Sequence, residues 1–224
     1  MDEHVFQLTG LAHYDLGFLQ EQWGGLCAQY GASPSAIENM FKTLVERYSA
    51  KDRAYHTLSH IQSLLSMGET LRDKFQDYDA VCFAIWFHDV IYNTKKSDNE
   101  EKSADFAVEA LTALGVSAST IAFTREMILA TKHHLGADLT WDAMAFLDMD
   151  TSILGAPEEV YKQYSRAIRI EYSWVLDFLY RKGRKKILHD FLDRERIYFT
   201  EEIGSKYEAQ ARRNIEGEIR ALSG

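Results

Sequence analysis

Apolar residues recur every three or four positions along most of the chain, which is the spacing of one face of an α-helix. Ser33 and Pro34 open one of these series as an N-cap followed by proline in the first turn. No two segments form a convincing strand pair, so the pattern predicts an all-α fold. The predicted helices cover residues 14–30, 34–48, 57–75, 77–88, 98–114, 117–134, 141–150 and 158–181, followed by a helical tail over 184–222 with breaks near Thr200 and at Gly204.

The segment from Asp77 to His88 differs from the others because it is apolar on almost every side. Such a helix belongs at the centre of a bundle, where all of its faces are covered. It ends in His88 and Asp89, so these two polar side chains are expected at the edge of the core. Burying an imidazole and a carboxylate side by side is costly unless something such as a cation pairs with them.

Composition narrows the class of protein. The 224 residues include 25 Lys and Arg against 34 Asp and Glu, a formal net charge of −9. Nucleic acid and anionic membranes both need clustered cations, so neither partner is expected, whereas a small phosphorylated molecule is not excluded. The sequence has no apolar run long enough to span a membrane, and its first residues lack a basic segment followed by an apolar one. We therefore expect a cytoplasmic protein.

Candidate metal ligands stand on either side of the central helix in the chain. His60 begins an amphipathic helix before it, and Asp148 and Asp150 lie in an apolar helical run after it. Imidazole nitrogens and carboxylate oxygens together suit divalent transition metals. The two aspartates are two positions apart and point to different sides of a helix, so only one of them should reach the site.

The order of these residues resembles that of the HD-domain superfamily of metal-dependent phosphohydrolases, whose ligands follow as His, His-Asp and Asp. The resembling core covers about residues 56–155. The resemblance implies a single HD-type helical domain over 1–224, with additional N-terminal helices and a C-terminal extension over about 157–222. It assigns a divalent metal ion to four side chains, with Asp148 as the rival for the last: His60, His88, Asp89 and Asp150.

The segment Tyr55-His56-Thr57-Leu58-Ser59-His60 resembles the Tyr-His-Asn-x-x-His signature of class I cyclic nucleotide phosphodiesterases. In that signature the second histidine binds metal and the first is the general acid. Helical spacing would place His56 one turn from His60, and an unperturbed imidazole pKa of about 6.5 suits a proton donor. Thr57 replaces the asparagine, so cyclic nucleotide cleavage is not implied. His56 is the expected general acid, and a capping or core histidine is the alternative.

The stretch Asp98–Ala104 resembles the Asp-Asn-Glu-x-x-Ser-Ala element of a group of predicted bacterial HD phosphohydrolases. The likeness extends to residues 168–172 and to Gly183-Arg184. Glu100 within this element is expected to orient the water that attacks phosphorus, as a group behind the ligands would. Asp98 alternatively caps the following helix.

Substrate contacts are assigned to three side chains. Lys95 lies in the polar loop after Asp89, and Arg169 offers a guanidinium that can bind phosphate through two hydrogen bonds, although an internal ion pair with Glu171 or Asp177 would compete. His133 and His134 end a predicted helix, and because adjacent residues point about 100° apart, at most one faces the site. The spacing favours His134, which could bind the substrate or a second metal.

The implied activity is metal-dependent hydrolysis of a phosphate ester or anhydride of a nucleotide or similar small phosphorylated metabolite. Asp89 is expected to bind the metal and also to accept a proton from the attacking water. The ligand types do not separate Mn, Mg, Zn and Fe. Two alternatives are a non-catalytic metal or nucleotide sensor and an HD-type di-iron oxygenase, which would need about six protein ligands. A monomer or a homodimer is compatible with the sequence.

Overall fold

Helices are the regular structure of the parts of the chain that the computed structural model describes, residues 13–132 and 139–224. Those residues contain no strand, so the all-α prediction is confirmed. Two 3₁₀ turns occur, at Arg72–Lys74 and Ser152–Gly155. The α-helices of these residues are α1 (Leu16–Ala28), α2 (Pro34–Tyr48), α3 (Leu58–Thr70), α4 (Tyr78–Phe87), α5 (Asn99–Ala113), α6 (Ala118–Ala130), α7 (Trp141–Thr151), α8 (Glu158–Glu171), α9 (Asp177–Leu192) and α10 (Glu201–Ala221).

Side-chain caps fix where several helices begin. A hydroxyl or carboxylate accepts a hydrogen bond from a backbone amide three residues later, which satisfies a donor that the helix itself leaves unpaired. Each such cap contributes about 1 kcal/mol to stability. The capping residues are Asp15, Ser33, Asp77, Ser117 and Thr140.

The central helix is α4, as its apolar sequence predicts. Every residue from Ala80 to Phe87 is buried. Trp23 of α1 packs edge-on against Trp86 at a ring-centroid distance of 5.5 Å, and the Tyr48 hydroxyl donates to the Trp86 carbonyl over 3.0 Å. Because α4 is held on all sides, the two residues that follow it, His88 and Asp89, leave the core from a fixed position.

The predicted long helix over 158–181 is wrong, because the chain turns between α8 and α9. Arg169 donates to the carbonyls of Tyr172 and Val175, which satisfies acceptors released by the end of α8. The apolar spacing continued through the turn and gave no sign of it. Leu176 and Leu179, which supported a continuous helix, are 64% and 48% exposed, so this spacing does not mark a buried stripe.

The predicted break at Gly204 is also wrong, whereas the break near Thr200 is confirmed. Thr200 precedes α10, and Gly204 lies within that helix. A Cβ atom at Gly204 would stand 2.9 Å from the Nη2 atom of Arg196. The glycine therefore lies against the side chain of Arg196 and does not interrupt the helix.

The C-terminal helices are joined to α7 and the turn after it by buried polar contacts. Asn214 donates from Nδ2 to the carbonyls of Leu154 and Ala156, at 2.8 Å each. Arg184 and Glu218 form a buried ion pair with Nε and Oε1 2.9 Å apart. The contacts of Asn214 hold the turn after α7 against α10, and the ion pair joins α9 to α10. Within the described ranges, no helix is long and apolar enough to cross a membrane.

Gly155 permits the closest of these contacts, and replacing it should weaken the fold. A Cβ atom at position 155 would lie 2.6 Å from the Cβ atom and 2.7 Å from the carbonyl oxygen of Tyr207 in α10. We expect Gly155→Ala to lower the free energy of unfolding by about 1–3 kcal/mol, the usual cost of overpacking. Gly24→Ala is the matched control, because nothing lies within 4 Å of its added Cβ atom. The control should be neutral or stabilising in chemical denaturation. Equal stability of the two variants would contradict the prediction.

Candidate metal centre

Three helix ends bring the candidate ligands together. His60 lies in the first turn of α3, His88 follows the last residue of α4, and Asp150 lies in the last turn of α7. His60 and His88 are buried, and Asp150 is partly buried. These three residues, far apart in the sequence, form a group whose ligand atoms all lie within 4.8 Å of one another and which could hold a metal ion.

His88 lies at the centre of the group. Its Nε2 atom is 3.3 Å from Nε2 of His60, 3.1 Å from Oδ2 of Asp89 and 3.5 Å from Oδ1 of Asp150. Nε2 of His60 is also 3.1 Å from Oδ1 of Asp150. Two imidazoles and the carboxylate of Asp150 therefore direct their donor atoms toward one small volume. Asp89 is outside this group of three, and its carboxylate lies beside His88.

A backbone contact sets the orientation of the His88 ring. Nδ1 of His88 is 3.0 Å from the carbonyl oxygen of Ile85, and this oxygen can only accept. Nδ1 therefore carries a proton, so in the neutral ring Nε2 presents its lone pair to His60 and the carboxylates. Metal-binding histidines commonly show this arrangement, with the second ring nitrogen donating to a carbonyl.

The distances within the group fit a divalent cation. Donors bound to one ion at about 2.1 Å stand roughly 3.0–3.4 Å apart, which is close to the separations of 3.1, 3.3 and 3.5 Å among the donor atoms of His60, His88 and Asp150. Hydrogen bonds alone, without a cation, pair these atoms less completely. If Nε2 of His60 donated to Asp150 and Nε2 of His88 donated to Asp89, two N–H groups would face each other across 3.3 Å.

Mutual electrostatics control the charge states in this group. Burial lowers the pKa of His60 and thereby favours its neutral form. Burial opposes charge on His88 too, but the carboxylates of Asp89 and Asp150 raise its pKa well above the ordinary value. Burial opposes ionisation of Asp89, yet the neighbouring His88 and His56 hold the Asp89 pKa below its usual range.

Asp148, the rival to Asp150, has a different environment. Its Oδ1 accepts from the amide of Phe199, and its Oδ2 accepts from the amide and the hydroxyl of Thr200, at 2.6–2.8 Å. Burial raises the pKa of Asp148 to about 6, against these hydrogen bonds. Asp148 thus holds the segment that leads into α10, and Asp150 is the aspartate in the His60–His88 group.

His56 stands beside the group but is not on a helix with His60. Thr57 is the N-cap of α3, so His56 precedes the helix and i, i+4 spacing does not position it. Its Nδ1 is 2.7 Å from Oε2 of Glu171, and its Nε2 is 3.8 Å from Oδ2 of Asp89. The side chains of His56 and Asp89 remain 19% and 21% exposed, so both can reach solvent.

Glu171 belongs to the site, although the sequence pattern did not identify it as a site residue. Its Oε1 accepts from the amides of Ala54, Tyr55 and His56, and its Oε2 faces His56 and accepts from the hydroxyl of Tyr92 over 2.8 Å. Burial opposes ionisation, but these hydrogen bonds lower the Glu171 pKa to about 2. A signal was available, since Glu171 continues the buried stripe of α8 at Tyr161, Tyr164 and Ile168. A carboxylate on a buried stripe needs partners.

Arg53 is a second site residue that the sequence pattern did not identify. It joins two segments of the site. Its guanidinium donates to the carbonyl of His56 over 2.9 Å and to that of Asp89 over 2.8 Å. It lies over the rings of Tyr48 and Tyr92, at 4.8 and 5.2 Å from their centroids. Nothing in the local sequence distinguishes this arginine from a surface residue, because its partners are backbone carbonyls, and those of Asp89 and Val90 lie 36 and 37 positions away.

The other predicted residues lie apart from the group. Glu100 is in the first turn of α5 and, among the described residues, makes no hydrogen bond with the ligands. The Nζ atom of Lys95 lies 5.6 Å from the ring centroid of Trp174. Arg169 caps α8 and stands 3.7 Å from Asp177. His133 and His134 fall outside the described residues.

A scan against protein-family models finds no match for this chain, and a search of the curated proteins finds none. The HD-domain assignment therefore remains a resemblance carried by the residues themselves.

The two aspartates of α7 should respond differently to the same substitution. Asp148→Asn replaces an acceptor with an amide group opposite donors of Phe199 or Thr200, so unfolding free energy should fall by about 1–3 kcal/mol. Asp150→Asn should leave the metal-free protein within about 1 kcal/mol of wild type but abolish thermal stabilisation by added Mn²⁺. That stabilisation amounts to about 2.7 kcal/mol at a hundredfold excess over Kd. The assignment is wrong if the Asp150 variant keeps its response to Mn²⁺.

Glu171 should control the protonation of His56. Burial lowers the His56 pKa, but the negative charges of Asp89 and Glu171 outweigh it, so the pKa is raised. We expect Glu171→Gln to lower the His56 pKa, measured from imidazole NMR shifts across pH. In wild type, the stability from protonated His56 is present below about pH 6.5 and is lost as pH rises through the folded pKa. Glu159→Gln, an exposed change on the same helix, should leave the titration unchanged.

Proposed function

We propose that the chain is a metal-dependent phosphohydrolase that cleaves a phosphate ester or anhydride of a nucleotide or a similar small phosphorylated metabolite. The observation that carries the proposal is the convergence of His60, His88 and Asp150, with Asp89 beside them, next to a histidine held by a buried glutamate. The order of these residues in the chain is the order by which it resembles HD-domain phosphohydrolases.

The ligand set of this proposal is His60, His88, Asp89 and Asp150. Two nitrogens and two carboxylate oxygens suit a divalent cation and do not separate Mn, Mg, Zn and Fe. A divalent cation bound here would supply Lewis-acid activation of water and of a phosphoryl oxygen. Asp89 would have a second role as acceptor of a proton from the attacking water, because its carboxylate is partly exposed and the neighbouring histidines keep it ionised.

His56 is the proposed proton donor to the leaving oxygen. Nδ1 faces Glu171, so Nε2 points to the opposite side of the ring, toward Asp89 and the solvent-accessible part of the site. Glu171 would keep His56 protonated and fix the ring by accepting from Nδ1. Tyr92 supports the same geometry, since its ring stacks against His56 at a centroid distance of 4.4 Å while its hydroxyl binds Glu171.

The proposal predicts that metal binding and proton donation can be separated by mutation. His56→Asn should retain bound metal, measured by elemental analysis, but should lose about 10²–10⁴-fold in kcat, the usual contribution of a general acid. Asp89→Ala should lose both. His189→Asn, which changes an exposed histidine of α9, is the control. The assays are hydrolysis of a chromogenic phosphodiester and of a nucleotide panel, after loading with Mn²⁺ or Fe²⁺.

The outcomes distinguish the proposal from its alternatives. Metal together with turnover that fails in His56→Asn supports a hydrolase. Metal without turnover on any of these substrates would favour a sensor or an oxygenase, and the sensor should gain thermal stability from a nucleotide ligand. A well-folded wild-type protein that takes up no metal would contradict the proposal.

A further inference from the structure

Exposed apolar side chains are concentrated at the end of α8, in the turn after it and in α9. Of the eight large hydrophobic side chains exposed in the described parts of the chain, six lie between positions 170 and 187 and are 48–65% exposed. We call these six the apolar corner: Ile170, Trp174, Leu176, Phe178, Leu179 and Ile187. Exposure of this size means that about half or more of each side chain is in contact with solvent.

Cations are interleaved with the apolar corner. Positions 181–186 of α9 contain five Lys and Arg residues and no acidic residue, in a chain whose net charge is −9. Phe178, Lys182 and Lys185 follow at i, i+4 and i+7, so they share one face of the helix. The Nζ atom of Lys95 adds a further cation beside the ring of Trp174.

Only some of these cations are neutralised within the protein. Arg184 is buried against Glu218, Arg181 pairs with Asp177, and Lys186 pairs with Asp190. Lys182 and Lys185 have no ion pair among the described residues. The uncompensated positive charge therefore lies on the same face of α9 as Phe178.

We propose that the apolar corner, with Lys182 and Lys185, is a docking surface for an anionic lipid membrane. Projecting Trp, Phe and Leu side chains can enter the headgroup region while neighbouring lysines bind anionic headgroups. Lysine is depleted in the cores of protein interfaces, so its interleaving with Phe178 favours lipid over a second copy of the chain. The net charge of −9 does not oppose this contact strongly, because charges beyond about 8–10 Å are screened at physiological ionic strength.

The surface lies next to the candidate metal centre. Ile170 precedes Glu171, and a cleft of about 360 Å³ is lined by Ile170, Trp174, Lys95 and Glu171. Docking would place the membrane against the side of the protein where Glu171 binds His56. The inference does not depend on the proposed hydrolase activity.

Sedimentation with vesicles tests the proposal on the full chain. Wild type should bind vesicles of phosphatidylcholine mixed with phosphatidylglycerol. Its affinity for vesicles of phosphatidylcholine alone should be lower by roughly tenfold or more. Leu176→Ser/Phe178→Ser should lose binding to both. Lys182→Glu/Lys185→Glu should lose roughly tenfold or more on the anionic vesicles. The matched controls are Leu16→Ser, an exposed leucine of α1, and Lys42→Glu, an exposed lysine of α2; both should bind like wild type.

Three results would overturn the proposal. The first is a folded wild type, checked by thermal unfolding, that does not bind anionic vesicles. The second is equal binding by wild type and Leu176→Ser/Phe178→Ser. The third is a wild-type dimer in sedimentation velocity that Leu176→Ser/Phe178→Ser converts to a monomer without any vesicle binding, because the corner would then be an interface between two copies.

Discussion

The constraint on which the structure depends is the burial of two imidazoles within contact distance of each other and of two carboxylates. Nε2 of His88 has the Nε2 atom of His60, an oxygen of Asp89 and an oxygen of Asp150 within 3.5 Å. Desolvating such groups is unfavourable unless charge is shared among them. A cation bound by His60, His88 and Asp150 would pair with one donor atom of each and so compensate for their burial. The apolar helix α4 makes this arrangement possible, because it presents His88 from a position that packing fixes on every side.

Hydrogen bonds of buried side chains hold in place the segments that carry the site residues. Glu171 ties the segment before α3 to the end of α8, and Arg53 ties the same segment to the residues after α4. Asp148 binds the amides that lead into α10 and leaves Asp150, half a turn further along α7, for the histidines. Each brace joins parts of the chain that are far apart in sequence. The C-terminal helices are therefore part of the site and not merely an addition to it.

The sequence predicted the elements whose signals are local. Apolar spacing gave the all-α fold, and the apolar run before His88 identified the central helix. It could not show the turn after Glu171, because Leu176 and Leu179 maintain helical spacing although they face solvent. It also misread Gly204, which lies inside α10 next to the guanidinium of Arg196. A single sequence does not reveal which glycine breaks a helix and which permits close packing.

The candidate site could be predicted only in part, because the contacts between distant segments cannot be read from a single sequence. His60, His88 and Asp150 could be proposed from their residue types and order, but the choice between Asp148 and Asp150 needed the partners of each carboxylate. Arg53 contacts backbone carbonyls, which leave no trace in the sequence. Net charge is a property of the whole chain, so a net charge of −9 does not reveal the basic stretch beside the apolar corner.

The most direct test of the central claim is the position of a bound metal ion. We would soak crystals of the wild-type protein in Mn²⁺ and measure anomalous scattering from the manganese. The expected result is a peak in contact with Nε2 of His60, Nε2 of His88 and a carboxylate oxygen of Asp150. A peak elsewhere only, or none at these three residues in fully soaked crystals, would contradict the claim that this group is a metal site.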